Sequence, residues 1–236
     1  MILTIVKRSR SLFAAGLSAV VLAACGGGSQ PVDPVQALRD GAAAMSKLTS
    51  VKANLKVVKG VVTFQGFTLV GAKASVRLPD DSDTTYTVKQ QDLAIGIKVV
   101  IVGGHVYVRL PFLNLTEYTG TQAAAIPDVA RLFDTKTGLS AVIPTARNPK
   151  YLATDSVDGV DSNKIEATYG ADQLHGMLPQ LTSVGDVDAT IWVGASDHLI
   201  RKAVLSGPFG DNGAASSVEV DISGFNGAVT ITSPSP

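Results

Sequence analysis

The segment Val51-Lys52-Ala53-Asn54-Leu55-Lys56-Val57 alternates strictly between apolar and polar side chains. Because successive residues of a strand point to opposite faces of a sheet, this period of two predicts a strand with one buried and one solvated face. Similar alternation occurs in Ala72-Lys73-Ala74-Ser75-Val76-Arg77-Leu78 and in Val187-Asp188-Ala189-Thr190-Ile191-Trp192-Val193. The repetition favours an antiparallel sheet, which commonly buries one face and exposes the other.

Further segments around these three have the composition of strands, and turn signals separate several of them. The candidate strands are residues 61–70, 84–89, 94–102, 105–110, 150–157, 160–169, 199–206, 216–223 and 228–232. Turns are indicated at Gly103-Gly104, Asp158-Gly159 and Ala195-Ser196-Asp197.

Helical signals interrupt the strands. Asp33 is a favourable N-cap, and Pro34 follows at the first helical position, where a missing N–H costs nothing. Apolar residues then recur at helical spacing at Val35, Leu38, Ala42 and Met45. Residues 134–143 and 171–181 predict two later helices, and a short one is expected at 122–125. No internal repeat or change in composition marks a second domain, so we predict one α+β domain over residues 33–236.

The pattern of the N-terminus predicts an export signal. Lys7, Arg8 and Arg10 precede an apolar, uncharged run at residues 12–24. That run is shorter than the roughly 20 residues of a membrane-spanning helix, so we expect a removable signal peptide over residues 1–24.

The end of this signal, Leu22-Ala23-Ala24-Cys25, is similar to the lipobox of bacterial lipoproteins, whose cysteine receives diacylglycerol. Cys25 is the only cysteine of the chain, so we predict that it is lipidated. Residues 25–32 would then form the lipidated cysteine and a flexible, glycine-rich tether. The alternative is an ordinary signal peptide with a chance cysteine near its cleavage site.

Composition and charge exclude several classes of function. The chain is 45% hydrophobic and 17% charged, which is typical of a globular protein with one sizeable core. Lys and Arg total 20, as do Asp and Glu, so the formal net charge is zero. No nucleic acid partner is expected, because contacts to phosphates need clustered cations.

Catalytic and metal-binding motifs have little support. No Gly-x-Ser-x-Gly elbow occurs, and Cys25 is committed to lipidation. His105, His175 and His198 lack the close spacing of a zinc site. Asp80-Asp81-x-Asp83 lacks the glycine and the distant glutamate of an EF-hand loop, so it predicts a solvated turn. No phosphate-binding glycine loop is present. We therefore expect a protein that is not an enzyme and that uses no cofactor.

Four segments carry a family resemblance in their order and spacing. They are the lipobox at Cys25, Val102-Gly103-Gly104-His105-Val106-Tyr107, Phe133-Asp134-Thr135-Lys136-Thr137-Gly138-Leu139, and Ala189-Thr190-Ile191-Trp192-Val193 with Asp197-His198-Leu199-Ile200 close behind. Together with the closing Ala228-Val229-Thr230-Ile231-Thr232-Ser233-Pro234, they resemble the LppX/LprAFG family of mycobacterial lipoproteins. The resemblance implies a strongly curved antiparallel sheet, a half-barrel, with helices on its concave side enclosing an apolar cavity for lipids.

The resemblance also implies a function. A family member would be lipid-anchored to the outer face of the bacterial cell membrane, would bind lipids or glycolipids with several acyl chains, and would carry them between membranes. A membrane lipid exporter is a candidate partner. The acyl-chain count and head group differ among members, so neither carries over. The alternative is a surface-anchored structural or interaction lipoprotein with a filled core, because the period of a sequence does not separate a lined cavity from a filled core.

The resemblance places the strand at 84–89 in the curved sheet near the mouth of the cavity. Tyr86 and Val88 share one face of that strand, so both are predicted to point into the cavity, where Val88→Trp would find space. From the helical side we expect the lining residues Leu139, Val142, Ile143, Leu174, Met177, Leu178 and Leu181.

Overall fold

One antiparallel sheet of twelve strands organises the protein. The structure is a computed structural model that describes residues 32–64, 66–91, 93–177 and 183–234. The strands are β1 (Ser50–Lys59), β2 (Thr63–Phe64), β3 (Phe67–Arg77), β4 (Asp81–Gln90), β5 (Leu93–Val102), β6 (His105–Arg109), β7 (Thr116–Tyr118), β8 (Arg147–Val157), β9 (Val160–Tyr169), β10 (Val187–Gly194), β11 (Ile200–Gly207) and β12 (Ser216–Ser223).

The sheet runs in the order β7-β6-β5-β4-β3-β1-β12-β11-β10-β9-β8, with β2 paired to β3. The path does not close on itself, so β7 and β8 are its edges. β1 lies at the centre, where Ala53 is opposite Ala74 of β3 and Ile222 of β12. The predicted antiparallel sheet with a few helices is confirmed.

The alternation in β1 has the predicted effect. Val51 is buried on one face, while Lys52 and Lys56 are exposed on the other. The Lys56 ammonium lies 3.3 Å from Glu219 and 3.2 Å from Asp221, both on the neighbouring β12. Opposite charges on facing positions of adjacent strands stabilise this register.

The helices are short, and they include α1 (Pro34–Met45), α2 (Gly120–Ala124), α3 (Leu139–Val142), α4 (Ala171–Met177) and the 3-10 helices Val129–Phe133 and Ile143–Thr145. Asp33 caps α1 as predicted, because its carboxylate accepts hydrogen bonds from the N–H groups of Val35 and Gln36 at 2.9 and 3.3 Å. Within the described residues, no helix is both long and apolar enough to cross a bilayer.

The helix predicted at 134–143 is wrong over its first half. The Asp134 carboxylate accepts hydrogen bonds from the N–H groups of Lys136 and Thr137 at 2.9 and 2.7 Å, and this local turn replaces the first helical turns. The Thr137 hydroxyl donates to the same carboxylate at 2.8 Å, and this bond, followed by those from the two N–H groups, lowers the pKa of Asp134. The helix predicted at 171–181 is described only as far as Met177.

Two predicted strands also differ. The segment 61–70 forms the hairpin of β2 and β3 instead of one strand, with Gly66 at a φ of 80° in the turn. The segment 228–232 forms no strand, and it cannot form a hairpin with the preceding β12, because β1 and β11 already occupy both sides of β12. It follows the surface as irregular chain, although Ile231 is buried.

The apolar side chains form two clusters. The larger one joins α1, α3 and α4 to the half of the sheet from β3 to β9, around residues such as Leu38, Val51 and Ile165. The smaller one, which we call the packed cluster, lies mainly on β4, β5 and β6 and consists of Phe64, Tyr86, Val88, Ile97, Val99, Ile101, Val108 and Ile126.

Candidate functional site

An apolar pocket of about 220 Å³ lies between the sheet and the helical segments that cover it. Strands β1, β3, β10, β11 and β12 form its floor, and the 3-10 helix Val129–Phe133 with α3 and α4 forms its cover. No described residue in its wall carries a charge. The polar side chains in the wall are those of Thr63, Tyr86 and Tyr169.

Small residues on the floor explain why space remains there. Alternate residues of the central strands face the pocket, and many of them are alanines, namely Ala53, Ala72, Ala74, Ala189 and Ala203. On the neighbouring strand, an alanine is paired either with another alanine, as Ala53 is with Ala74, or with a larger residue, as Ala203 is with Ile191. Valines, leucines and isoleucines make up the rest of the floor. The alanine side chains do not reach the cover, so unfilled volume remains above them.

Two tyrosines tie the cover to the sheet. The Tyr169 hydroxyl donates a hydrogen bond to the Ile143 carbonyl at 3.1 Å, and the Tyr86 hydroxyl donates to the Pro127 carbonyl at 3.4 Å. Burial raises the pKa of both phenols above the ordinary value, so both stay protonated donors. The phenol oxygens are thus engaged with backbone, which leaves hydrocarbon to dominate the wall.

The cover begins at a capped turn. The Asp128 carboxylate accepts a hydrogen bond from the N–H of Ala130 at 3.0 Å and so caps the 3-10 helix that follows it. Burial raises the pKa of Asp128. Beyond this cap, Val129, Leu132 and Phe133 face the pocket.

The structure brings six of the residues expected from the sequence into the wall of the pocket, which are Tyr86, Leu139, Val142, Ile143, Leu174 and Met177. Val88 is not in the wall. It is completely buried in the packed cluster, two residues beyond Tyr86 and paired with Leu69 and Ile95. Leu178 and Leu181 of the expected lining, and Cys25, lie outside the described residues.

Sequence reasoning missed the floor of the pocket. The alanines of β1, β3 and β10 were assigned to the apolar faces of their strands but not to the site. The available signal was their size, because a run of alanines at alternate positions of adjacent strands leaves room above the sheet. Tyr169 and the 3-10 helix Val129–Phe133 gave no comparable signal.

The arrangement of the ionisable side chains in the described residues was compared with that of metal sites. Across the described ranges, no group of three or more His, Cys, Asp or Glu side chains is placed to hold a metal ion. The Nδ1 atom of His105 on β6 instead lies 2.7 Å from the Oε1 atom of Glu117 on the edge strand β7.

Sequence comparisons match the whole domain to proteins with assigned roles. The relative named lipoarabinomannan carrier protein LprG from Mycolicibacterium smegmatis is 27% identical over 95% of this chain and 95% of its own length. The protein of the same name from Mycobacterium tuberculosis is 25% identical over 97% and 95%. A putative diacylated glycolipid transporter, LprF from Mycobacterium bovis, is 26% identical over 94% and 90%.

Solved structures share the fold. LprF from Mycobacterium bovis superposes with a TM-score of 0.68 at 20% identity, covering 86% of this chain and 97% of that one. LppX from Mycobacterium tuberculosis superposes with a TM-score of 0.60 at 20% identity, covering 85% and 100%. The family model described as LppX_LprAFG lipoprotein matches residues 33–231. This match covers nearly all of the folded domain, and the chain therefore belongs to the LppX_LprAFG lipoprotein family.

Proposed function

We propose that the protein is a cell-envelope lipoprotein that binds the acyl chains of lipids or glycolipids in the apolar pocket and carries them between membranes. The observation that carries this proposal is the uncharged wall over an alanine floor. Acyl chains suit such a wall, because they neither offer nor need hydrogen bonds. The names of the relatives, a lipoarabinomannan carrier and a putative diacylated glycolipid transporter, support the same class of ligand.

The size of the pocket limits what it takes in its present form. Its volume of about 220 Å³ is below the roughly 300–1,000 Å³ of most small-molecule sites. A ligand with several acyl chains therefore requires the cover to move outward. Continuous strand ladders hold the floor, whereas the cover consists of short helices joined by turns, so the cover is the part that yields.

Carrying a lipid in this way needs no energy source at the pocket. Burying a chain of about sixteen carbons from water is worth on the order of 13 kcal/mol at the usual value per methylene. A lipid in a membrane is already out of water, so its transfer into an apolar pocket is nearly neutral and reversible. The protein lowers the barrier to crossing an aqueous space, and we propose neither a catalytic role nor a cofactor.

Anchoring is the second part of the proposal. Diacylglycerol on Cys25 would hold the protein on the outer face of the cell membrane, because two acyl chains give stable attachment. Residues 26–31 are rich in glycine, a composition that predicts a tether between such an anchor and the domain. A membrane lipid exporter would be the natural source of cargo.

Solvent extraction and mass spectrometry of the purified full-length protein test carriage directly. We expect acyl lipid beyond the anchor itself with the parent protein. Ala203→Phe should reduce it, because the ring would occupy the pocket. Val204→Phe, on the opposite face of the same strand, is the matched control and should carry lipid as the parent does.

Clean protein in repeated preparations of the parent would instead favour the second candidate, a structural or interaction lipoprotein without lipid cargo.

Partition of Cys25→Ser into detergent tests the anchor. The variant should remain unprocessed or appear in the aqueous phase, while the parent enters the detergent phase. Unchanged partition of a processed variant would contradict anchoring through Cys25.

A further inference from the structure

One end of the sheet collects exposed hydrophobic side chains. Nine large hydrophobic residues are exposed in the described part of the chain, and six of them lie at or beyond the same strand ends. We call these six the apolar rim, and they are Val58, Val61, Leu93, Phe112, Leu113 and Val184. Isolated exposed hydrophobic residues are ordinary on protein surfaces, but their concentration at one end is not.

The antiparallel topology is what brings the rim together. β1 and β6 end where β5 and β10 begin, because successive strands across the sheet run in opposite directions. Val58 is near the end of β1, Leu93 opens β5, and Phe112 follows β6. The opposite end of the sheet has no residue of this kind among those described, and it carries exposed acidic groups at its turns, such as Asp80 and Asp158.

Phe112 and Leu113 are the most prominent members of the rim. Phe112 is fully exposed, at 100%, and Leu113 is 60% exposed. Phe112 has a φ of 64°, a left-handed conformation that is unusual for a bulky residue and is held by the turn in which the Leu113 N–H donates to the Leu110 carbonyl at 3.2 Å. The chain thus projects an aromatic ring away from its own core.

Positive charges accompany the rim. Lys59 closes β1, Lys89 lies one residue from the end of β4, and Arg109 closes β6. All three are exposed, and none forms an ion pair with any described residue. Cations without acidic partners next to protruding hydrophobic side chains match the charge of an anionic lipid surface.

We propose that the apolar rim docks the domain onto a bilayer containing anionic phospholipid, with Phe112 and Leu113 entering the interface. A bilayer suits single side chains that project from separate loops, because lipid moulds around each of them, whereas a protein partner needs a continuous complementary face. Acidic groups at this end of the sheet lie on the far side, at Asp172 and at Asp186, which is paired with Arg147. Next to Phe112 and Leu113, the unpaired Lys89 and Arg109 favour an anionic surface.

The rim also lies beside the pocket along the chain. Val61 is followed directly by Val62, Thr63 and Phe64, which belong to the wall of the pocket. Docking through the rim therefore brings that wall toward the bilayer. The inference concerns orientation and stands whether or not the pocket holds lipid.

Site-specific fluorescence on the full-length, lipid-anchored protein tests the proposal. Cys25 is the only cysteine, so Leu113→Cys introduces a single further thiol for a polarity-sensitive dye, and dye uptake by the parent measures any unblocked Cys25. Ser156→Cys, exposed near the opposite end of the sheet on β8, is the matched control. Both proteins are reconstituted into vesicles of phosphatidylcholine and phosphatidylglycerol that also contain lipid with a spin label on its acyl chain.

At residue 113 we expect a blue shift of the emission and loss of most of the fluorescence to the spin label, with neither change at residue 156. Adding Lys89→Glu and Arg109→Glu, or omitting phosphatidylglycerol, should move the emission of the residue 113 dye back toward that in water. Equal, unquenched emission from both positions would overturn the proposal and leave the rim as a protein contact. Lipid extraction from the same preparations reports on carriage separately, so the two proposals fail independently.

Discussion

The pocket and the packed cluster arise from the same pattern on neighbouring parts of one sheet, yet one encloses space and the other fills it. On β4 and β5 the facing residues are large, as in the pairs Tyr86 with Ile97 and Val88 with Ile95. On the pocket floor the corresponding pairs include alanine. Alternation therefore sets which face is apolar, and side-chain size at the alternate positions decides whether that face becomes a core or a container.

A stacked aromatic pair marks the boundary between the two regions. The rings of Phe64 and Tyr86 lie 4.3 Å apart between centroids, at an interplanar angle of 16°. Both residues belong to the packed cluster and to the wall of the pocket. The pair is thus shared by the two regions.

Truncation should separate the two regions most strongly. Ile97→Ala removes a buried side chain from the packed cluster and should cost about 2–5 kcal/mol of unfolding free energy, because it opens a new cavity. Leu55→Ala, in the wall of the pocket, should cost about 1 kcal/mol, since its side chain already borders empty space. Urea unfolding measures both values, and equal costs would remove the distinction.

Enlarging a buried side chain should also separate the two regions. Val88→Trp should cost about 1–3 kcal/mol, because the packed cluster has no room for the ring. This expectation reverses the one that follows from placing Val88 in a cavity. Ala203→Phe adds bulk over the pocket floor and should change the melting temperature little. A melting temperature of Val88→Trp equal to that of the parent would show that free space extends behind Tyr86.

The hairpins of the two regions differ in their charged contacts. Arg201, next to the pocket half, has a side chain that is 10% exposed and bonds Asp197 through both terminal nitrogens at 2.9 and 2.6 Å. Arg77, at the turn between β3 and β4, is 42% exposed and bonds Asp81. Asp197→Asn leaves the nearly buried Arg201 guanidinium without its carboxylate and should cost about 1.5–3 kcal/mol. Asp81→Asn leaves the half-exposed Arg77 to water and keeps an oxygen acceptor for the Gly103 N–H, so it should cost less than about 1 kcal/mol. Urea unfolding of the two variants checks the order.

Acid should weaken the ion pair between Arg201 and Asp197, and this is the smallest of the expected changes in stability. The hydrogen bond from Arg201 lowers the pKa of Asp197 below its ordinary value of 3.8. A carboxylate with a depressed pKa contributes stability above its unfolded-state pKa and loses it as the pH falls through the folded-state pKa. As the pH falls below about 5, the urea midpoint of the parent should thus fall more than that of Asp197→Asn, which lacks this carboxylate. An identical fall in both proteins would assign the acid sensitivity to other carboxylates.

The sequence predicted what depends on local chemistry. The strands at β1 and β10 and the start of α1 follow from side-chain period and from the cap at Asp33, which need no distant contacts. The segment at 228–232 has the same strand-like composition, but a hairpin with the preceding β12 requires that β12 be unpaired on one side, which depends on the positions of β1 and β11. Asp134 had the residue type of a helix cap, and its actual partners formed a tight turn.

The site was less predictable for a physical reason. Period shows the direction of a side chain but not the distance to the layer that it faces, so Tyr86 and Val88 looked equivalent although only Tyr86 reaches the pocket. The wall from Leu139 to Met177 came from the family resemblance and from helical spacing. The volume of the pocket depends on how far the short floor residues stand from the cover, and this distance is a property of the assembled tertiary structure.

The central pairing of β1 with β12 has a consequence for how the chain folds. Asn54 of β1 donates to Asp221 of β12 across 167 residues at 3.4 Å, whereas β3 to β6 pair with their immediate successors in the chain. Contacts of such high sequence separation form late and slow folding. During synthesis from the N-terminus, β1 has one side unpaired until the last strand is made, and an open strand edge invites aggregation. The lysines that alternate along β1 supply the charge that protects such an edge during that interval.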